Sequence, residues 1–442
     1  MNEKKVTKER IINAIISRTA MRQEYFKEAV MTVGKDAVQE LEALYDIYDE
    51  RLYIWMATLW EPEIGGFYFS LSARETEGFR PDIESTVQVL RVIEKLGLFG
   101  SRGERYEDAI PRFMRDKLVS FAKSLQDKDG FFYHPQWGKN IITPRRGRDL
   151  GWAIDMLNHF GEKPSYPTPI DNSGRKTDLL PEWLRSIEEW RKYLGNLDLK
   201  RKSYWSANLL QSQTEQISAA GREFVDCLFA WLRENQCSSS GLWEPEVNYA
   251  SVNGLLKLSI IYNALGEPLP NAEEAYLSAM TAALSRESIV FCCQFANPLT
   301  AMSNIFRNMS DHGNGERAAQ LQRIAVERAA ELISVTREKV MLCKRTDGSF
   351  SYNTEPHSRF SQKAPVGLGL NEGDVNATCI CSGGLVRNIC GTVGLPLIPV
   401  FCNADSDIFF DMIENGVKPD KIYAKPDWFD DAIDPDRLTE IF

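Results

Sequence analysis

A turn rich in glycine and aromatic residues recurs along this chain, each time between two apolar stretches with helical spacing. The turns occupy residues 63–68, 127–133, 240–243 and 346–352. Each is followed by a stretch that stops at a glycine, and the four stops are Gly97, Gly161, Gly266 and Gly394. Self-similarity of this kind is the signature of repeat architectures, in which one helical unit packs on the next. It constrains the fold more than any single motif does.

The spacing of the glycine stops predicts how many helical hairpins the chain holds. Successive stops lie 64, 105 and 128 residues apart. If one hairpin takes ~60 residues, the two longer intervals hold two hairpins each, which gives six in total. Because strand patterns are weak, we expect an all-α protein, a single (α/α)6 toroid with inner and outer rings of helices. An open stack of hairpins is the alternative.

The same pattern divides the chain into three parts. Residues 1–50 are polar and helical in spacing and are predicted to form a lead-in helix or cap. Residues 51–395 hold the repeats and form the toroid, and residues 396–442 form a C-terminal tail that packs on it. Glycine suits the helix ends because it enters the left-handed cap conformation without strain.

Composition and charge exclude several classes of function. The net charge of -10 is spread along the chain, which disfavours nucleic-acid binding because that needs a basic face for phosphate contacts. No stretch reaches the ~18 apolar residues of a membrane span, and no signal-peptide core follows Met1. Nine cysteines without paired spacing suit a reducing compartment. We therefore expect a cytoplasmic protein without nucleic-acid or membrane partners.

Two of the repeats carry a family resemblance. Residues 117–126, with Asp129, Gly130 and Phe131 after them, resemble the Gln-Trp-type repeat of the terpenoid cyclase and protein prenyltransferase toroids. Residues 224–233, which lead to Gly241 and Trp243, are similar. The Gly-Gly-Phe-Tyr turn at 65–68 also resembles turns of sugar-processing (α/α)6 barrels, among them epimerases, hydrolases and lyases. The resemblance implies the toroid fold and leaves the reaction open.

The first candidate site lies where the helix that stops at Gly97 begins. Asp82 suits the cap position, where a carboxylate accepts hydrogen bonds from backbone amides that have no partner in the helix. Glu84 falls in the first helical turn, at the expected mouth of the toroid. Burial at such a mouth can prepare a carboxyl group for general-acid chemistry. Residues 82–86 are similar to the Asp-rich protonating motif of class II terpene cyclases, with Glu and Ser where that motif has Asp. Arg80 and Arg148 are candidate clamps for a substrate carboxylate.

A second candidate site lies at residues 372–379. This stretch resembles the zinc-proximal helix start of protein prenyltransferases, but Ala377 stands where the resemblance places a zinc-ligand histidine. Since a zinc site needs converging thiolates or imidazoles and the chain has four histidines, we expect no metal and no cofactor. Asp374 is predicted to cap the helix and, with Asn376, to contact substrate.

Two loops after the aromatic turns hold further candidates. Tyr352, His357 and Arg359 follow the fourth turn, and Trp137 follows the second. Histidine and tyrosine can move protons and arginine can neutralise a carboxylate, so Tyr352 and His357 are candidate catalytic residues. Trp137 and Arg359 are candidate substrate-binding residues. Ordinary loop polarity is the alternative for each.

The helix that stops at Gly266 begins with another mixed cluster. Trp243, Glu244 and Glu246 precede it, and Tyr249 and Asn253 lie in its first turns. A sugar ring stacks on an aromatic platform and takes polar partners for its hydroxyl groups. This cluster therefore suits a sugar, although the same aromatic residues would also fit a core.

The leading prediction is a carbohydrate-active enzyme, a glycoside hydrolase or a lyase, acting on an acidic small-molecule or oligosaccharide substrate in the toroid cavity. Glu84 or Glu244 would be the general acid, and Asp82 or Glu246 the base. One alternative is an isoprenoid cyclase-like lyase with Glu84 as proton donor. Another is a non-catalytic toroid that binds a glycan or peptide. The sequence leaves the substrate and the oligomeric state open.

Overall fold

The chain is mostly helical in the computed structural model, which describes residues 6–170, 180–355 and 359–431. The α-helices are α1 (Lys8–Val33), α2 (Lys35–Tyr45), α3 (Glu50–Thr58), α4 (Leu71–Glu75), α5 (Ile83–Lys95), α6 (Tyr106–Ala109), α7 (Arg112–Ser124), α8 (Thr143–His159), α9 (Ile187–Gly195), α10 (Ser203–Gln211), α11 (Thr214–Ala220), α12 (Arg222–Asn235), α13 (Tyr249–Ala264), α14 (Ala272–Ala283), α15 (Cys292–Asp311), α16 (Gly315–Glu327), α17 (Ala329–Cys343), α18 (Val375–Cys379), α19 (Leu385–Thr392), α20 (Asn403–Glu414) and α21 (Trp428–Asp431). The predicted helical class is confirmed.

Two short antiparallel hairpins complete the described secondary structure. Strand β1 (Trp60–Glu61) pairs with β2 (Gly66–Phe67), in register Trp60 with Phe67. Strand β3 (Phe360–Ser361) pairs with β4 (Ala364–Pro365). Within the described ranges, no helix is long and apolar enough to cross a membrane.

Six helical elements contact one another in a closed cycle. Helix α5 contacts α8, α8 contacts α10, α10 contacts α13 and α13 contacts α15. Helix α15 contacts α19 and the π-helical turn Ile380–Gly384 that joins α18 to α19, and both α18 and this turn contact α5. We call α5, α8, α10, α13, α15 and the α18–α19 segment the inner ring.

The four predicted glycine stops all follow members of the inner ring. Gly97, Gly161, Gly266 and Gly394 lie just beyond α5, α8, α13 and α19, with φ between +68° and +85°. Of the other two members, α15 is also followed by a glycine at positive φ, Gly313 (φ +82°), which the repeat pattern did not include, whereas α10 continues through a short turn into α11 and has no glycine stop. Helix α10 was therefore missed from the sequence.

The repeated turns need glycine for two reasons at once. Gly65 and Gly348 have φ of +90° and +89°, a region that side chains with a Cβ atom rarely adopt. A Cβ atom on Gly65 would also lie 2.6 Å from the Cβ of Lys117 on α7, and one on Gly348 would lie 2.5 Å from the backbone nitrogen of Leu52 on α3. Each turn thus seats closely against a neighbouring helix, and the fourth turn reaches back to α3.

The N-terminal helices and α20 pack against each other outside the inner ring. Arg18 on α1 donates to Asp405 on α20 over 2.8 Å, and Arg22 donates to the carbonyl oxygen of Val400 over 2.7 Å. Both arginines are buried, so their hydrogen bonds attach α1 to α20 and to the segment that precedes it. The division into a cap, a toroid and a tail stays a prediction.

Candidate functional site inside the helical ring

The inner helices bury almost every side chain except a stripe of polar ones. On α13, residues 251–262 are buried apart from Lys257 and Ile260, which keep partial exposure. On α15, Asn297 and Thr300 are partly exposed between buried neighbours. Spacing of three and four residues places such side chains on one helix face. Because these helices form a ring, we infer that the partly exposed stripes face a solvent-accessible interior.

Two acids and two arginines form an ion-pair network where α5 and α8 begin. Asp82 caps α5, accepting from the amide of Ser85 at 3.0 Å, and also accepts from Arg145 at 2.6 Å. Glu84 accepts from Arg148 through Oε1, and its Oε2 lies 3.2 Å from Arg145 Nη1. Asp82 and Glu84, both predicted site residues, are thus brought together, and Arg148 joins them.

Arg145 holds this network together and is fully buried. Beyond the two acids of α5, its Nε donates to Asp149 over 2.9 Å, and its guanidinium stacks 4.7 Å from the ring centre of Trp137. Burial alone lowers the pKa of Arg145, but three neighbouring carboxylates outweigh burial and raise it. Burial raises the pKa of Asp149 to about 7, against the ion pair with Arg145, which lowers it. The network therefore gathers two cations and three ionisable carboxyl groups where α5 and α8 begin.

The facing side of the ring, on α10, α13 and α15, carries groups of a different kind. Lys257 donates to Gln211 over 3.3 Å and lies 5.9 Å from the ring centre of Tyr204. Burial, followed by the charge of Arg148, lowers the pKa of Lys257 to about 7. Burial raises the pKa of Tyr204 to about 12. This side thus offers an amine that titrates near neutrality beside a phenol.

Cys293 and Tyr352 extend this group toward the loop before α18. Their Sγ and Oη atoms lie 3.2 Å apart, and burial raises the pKa of both. Cys293 also lies within electrostatic reach of Lys257 and Tyr204. The structure therefore places the predicted residue Tyr352 next to Cys293 and within electrostatic reach of Tyr204, neither of which the sequence singled out.

Amide side chains add hydrogen bonds on each side of the ring. Gln88 on α5 donates to Glu84 over 3.3 Å and to Asn376 on α18 over 3.0 Å, and Asn297 donates to Asn253 over 3.0 Å. Three buried atoms around Glu84, namely Arg148 Nε, Gln88 Oε1 and Glu84 Oε2, have no hydrogen-bond partner among the described residues. Because buried polar atoms are normally paired, these three mark a place for a ligand or water.

The cluster before α13 lies elsewhere and is structural in its contacts. Glu244 accepts from the backbone amide of Ser203 over 2.8 Å, so it caps α10, while Glu246 is exposed. Trp243 is buried and donates to the carbonyl oxygen of Leu232 over 2.9 Å. Tyr249 binds Lys339 of α17 and donates to the carbonyl oxygen of Ser285. Among the described residues, none of Trp243, Glu244, Glu246 and Tyr249 forms a hydrogen bond or an ion pair with Glu84, whose partners are Gln88, Arg145 and Arg148.

The remaining predicted residues lie around the entrance. Trp137 packs with a small cluster of buried residues, Phe69, Ile141, Ala364 and Val366. Arg80 lines a separate cavity of about 230 Å³ beside Tyr133, and Arg359 stacks 4.7 Å from Trp428. Asp374 caps α18, accepting from Ala377 at 2.7 Å. His357 lies outside the described residues.

Lys257, Tyr204, Cys293 and Gln88 were missed by sequence reasoning. Lys257 did leave a signal, since it is a lone cation four residues after Asn253 in an apolar helix, a spacing that puts both on one face. The others leave no such mark, because their neighbours come from other helices. In the described part of the chain, no group of three or more potential ligand residues is placed to hold a metal ion.

Comparison with known proteins yields a distant structural likeness. No family model matches the sequence, and no curated protein matches it either. Among solved structures, the chain is similar to the type II terpene cyclase MstE from Scytonema, determined in complex with its product merosterolic acid A. The likeness covers 80% of this chain and 99% of that one, at 13% identity and a TM-score of 0.41. Similarity at this level carries no argument about the reaction.

Proposed function

We propose that this protein is a lyase that cleaves a carboxylate-bearing sugar by β-elimination inside the ring. The observation that carries the proposal is the pairing of two groups across the interior. One is the guanidinium of Arg148, which has a buried donor without a partner, and the other is the amine of Lys257, with a pKa of about 7. A cation clamp and a base active near neutral pH are what proton abstraction next to a carboxylate requires.

Three residues share the steps of the proposed elimination. Arg148 neutralises the sugar carboxylate, which acidifies the neighbouring C–H bond. Neutral Lys257 takes that proton, the C–H electrons form a carbon–carbon double bond, and the bond to the glycosidic oxygen breaks. Tyr204, whose pKa lies near 12, returns one proton to the leaving oxygen. The products are an unsaturated sugar acid and a sugar with a free hydroxyl group.

This proposal changes the role of Glu84. Its Oε1 accepts from Arg148, while its Oε2 lies 3.2 Å from Arg145 Nη1 without a hydrogen bond among the described residues, so the proposal makes it an acceptor and not a proton donor. We assign it the positioning of Arg148. The same geometry disfavours the isoprenoid cyclase alternative, which needs Glu84 to protonate its substrate. The polar stripes of the interior also differ from the aromatic wall that such a substrate would require.

The proposal includes a six-hairpin toroid. At least one helix precedes each member of the inner ring along the chain, and we take α3, α7, α9, α12, α14 and α17 as the outer partners. This alternation supports six outer and six inner helices, with the beginnings of the inner helices at one mouth. The substrate, a small molecule or an oligosaccharide, would enter there.

A screen of uronate-containing oligosaccharides tests the function. A lyase produces a conjugated double bond that absorbs in the ultraviolet, whereas a hydrolase produces reducing ends without that absorbance. We expect absorbance to grow with one substrate class and to be abolished in Lys257→Met. Reducing ends without absorbance would instead favour hydrolysis. No turnover of any uronate, together with conversion of a polyprenyl substrate that depends on Glu84, would overturn the proposal in favour of the cyclase.

A further inference from the structure

The polar stripe of α5 continues beyond the site into a cationic zone. Glu84, Gln88, Arg91 and Lys95 follow one another at intervals of four, three and four residues, which places them on one face of the helix. Arg91 lies seven residues after Glu84, which is roughly 10 Å further along the axis of α5 at 1.5 Å per residue. The stripe therefore changes from acidic and amide groups to two cations with increasing depth.

Arg91 is held in a fixed position. Its Nη2 atom donates to Asp155 on α8 over 2.9 Å, and its guanidinium lies 4.0 Å from the ring centre of Trp152. Both partners come from the neighbouring inner helix. Stacking and an ion pair together restrain the planar guanidinium, so Arg91 presents its remaining N–H groups in a defined direction.

Lys95 and Arg387 add positive charge without acid partners. Among the described residues, no carboxylate forms an ion pair with either side chain, whereas the charges of Arg91 and Arg387 both act on Lys95. Glu94 also acts on Lys95, but its carboxylate accepts from the hydroxyl of Tyr106 over 2.9 Å. Three cations thus lie near two acids, of which Asp155 is ion-paired with Arg91 and Glu94 is hydrogen-bonded to Tyr106.

The π-helical turn fixes this zone against α5. A Cβ atom on Gly383 would lie 2.8 Å from the Cβ of Lys95, so the turn approaches the stem of Lys95 closely. Helix α19 then starts with Arg387 in its first turn. A π-helical turn often marks a functional site, and here it brings a third cation to the stripe.

We propose that Arg91, Lys95 and Arg387 form a second anion subsite, which selects substrates with a further acidic group beyond the one held by Arg148. Resting on the proposed function, this names the substrate class as an oligomer of acidic sugars, because its carboxylates repeat along the chain. Like charges cluster at a cost in stability unless an anion neutralises them, which gives the cluster a reason to bind one.

Calorimetric titration with inorganic pyrophosphate tests the subsite without any sugar. We expect one binding site in the wild type, at least tenfold weaker binding in Lys95→Gln, and wild-type affinity within threefold in Lys95→Arg. The matched control is Arg323→Gln, which removes an exposed cation from α16, a helix that is not part of the inner ring, and should change affinity less than twofold. Thermal midpoints check that each variant is folded. If Lys95→Gln fails to fold, Arg387→Gln replaces it, since that side chain is exposed.

A second titration compares galacturonic acid with its trimer. The subsite predicts that the trimer binds at least tenfold more tightly than the monomer, and that Lys95→Gln removes most of this advantage. Equal affinity of monomer and trimer in the wild type would overturn the subsite while leaving the proposed function intact. Binding of pyrophosphate without binding of either sugar would overturn the proposed function and keep the subsite. No pyrophosphate binding, or equal binding by Lys95→Gln, would overturn the subsite.

Discussion

The two sides of the ring interior treat buried charge in opposite ways. Where α5 meets α8, Arg145 compensates three carboxylates and every acid has a cationic neighbour within 3.2 Å. Where α10 meets α13, Lys257 has an amide and a phenol ring near it, and no carboxylate among the described residues forms an ion pair with it. The first side resembles a structural network, and the second retains an uncompensated group.

This difference separates charge that holds the fold from charge that is available for chemistry. A buried ion pair gains little net stability, but removing one partner is costly because the other stays buried and uncompensated. A lysine that is held away from water without a counter-ion destabilises the fold, because its charged form loses hydration that no partner replaces. Natural proteins retain such groups mainly at functional sites. Substitutions on the two sides should therefore have opposite effects on stability.

The largest effect on stability is expected from Arg145→Met. It leaves Asp82, Asp149 and Glu84 buried without their shared cation, which should lower the free energy of unfolding by about 3–5 kcal/mol. Chemical denaturation measures this. Arg146→Met is the matched control on the same helix, because Arg146 only stacks 5.0 Å from Phe131, and it should cost about 1 kcal/mol or less. Equal losses in both variants would refute the structural role of the network.

Lys257→Met should reduce turnover by about 100-fold or more, since it removes the base. The same variant should raise the thermal midpoint, because an amine that is costly to charge is replaced by an apolar side chain of similar length. Steady-state kinetics and thermal unfolding check the two parts. Lys200→Met, at an exposed position, should change neither. Lost activity with a lower midpoint would mean that Lys257 is structural.

The pH dependence follows from the lowered pKa of Lys257. Because the neutral amine is the base, kcat/KM should fall about tenfold for each pH unit below about 7. Between about pH 7 and the ordinary pKa of 10.5, the unfolded chain binds a proton that the folded one does not, so stability should rise with pH in this window. Lys257→Met should remove that rise. A pH profile flat from 5 to 8 would contradict the assignment.

Glu84→Gln gives a smaller change on the ion-paired side. The amide keeps the size of the side chain but loses the charge that orients Arg148, so we expect about tenfold weaker binding through KM and little change in kcat. The thermal midpoint should shift by a few degrees. A drop in kcat of about 100-fold with KM unchanged would instead restore Glu84 as a proton donor and revive the cyclase alternative.

Glu244→Gln should have the smallest effect. Its carboxylate caps α10 through the amide of Ser203, and an amide oxygen can still accept that bond, so the loss should be about 1 kcal/mol or less. Activity should stay within twofold. A loss of activity comparable to that of Lys257→Met would show that the carboxylate pair expected from the sequence is real.

Local signals account for what the sequence predicted well. Asp82 and Asp374 cap α5 and α18 because a carboxylate three residues before an amide satisfies that amide within one turn. The glycine stops Gly97 and Gly266 sit at positive φ for an equally local reason. Many helix ends, and with them the helical class, could therefore be predicted from short stretches of the sequence.

Tertiary structure alone decided which polar residues meet. Asp82 and Arg145 are separated by 63 positions and form an ion pair because α5 and α8 are neighbours in the inner ring. Glu244 looked catalytic by its motif, yet it caps a helix that begins 41 positions earlier. Lys257 became a candidate base through burial and the charge of Arg148. The sequence by itself determined most of the helices and their ends, since these depend on contacts within a turn, although α10 was missed. The site depended on ring closure, because electrostatic environment is set by neighbours in space.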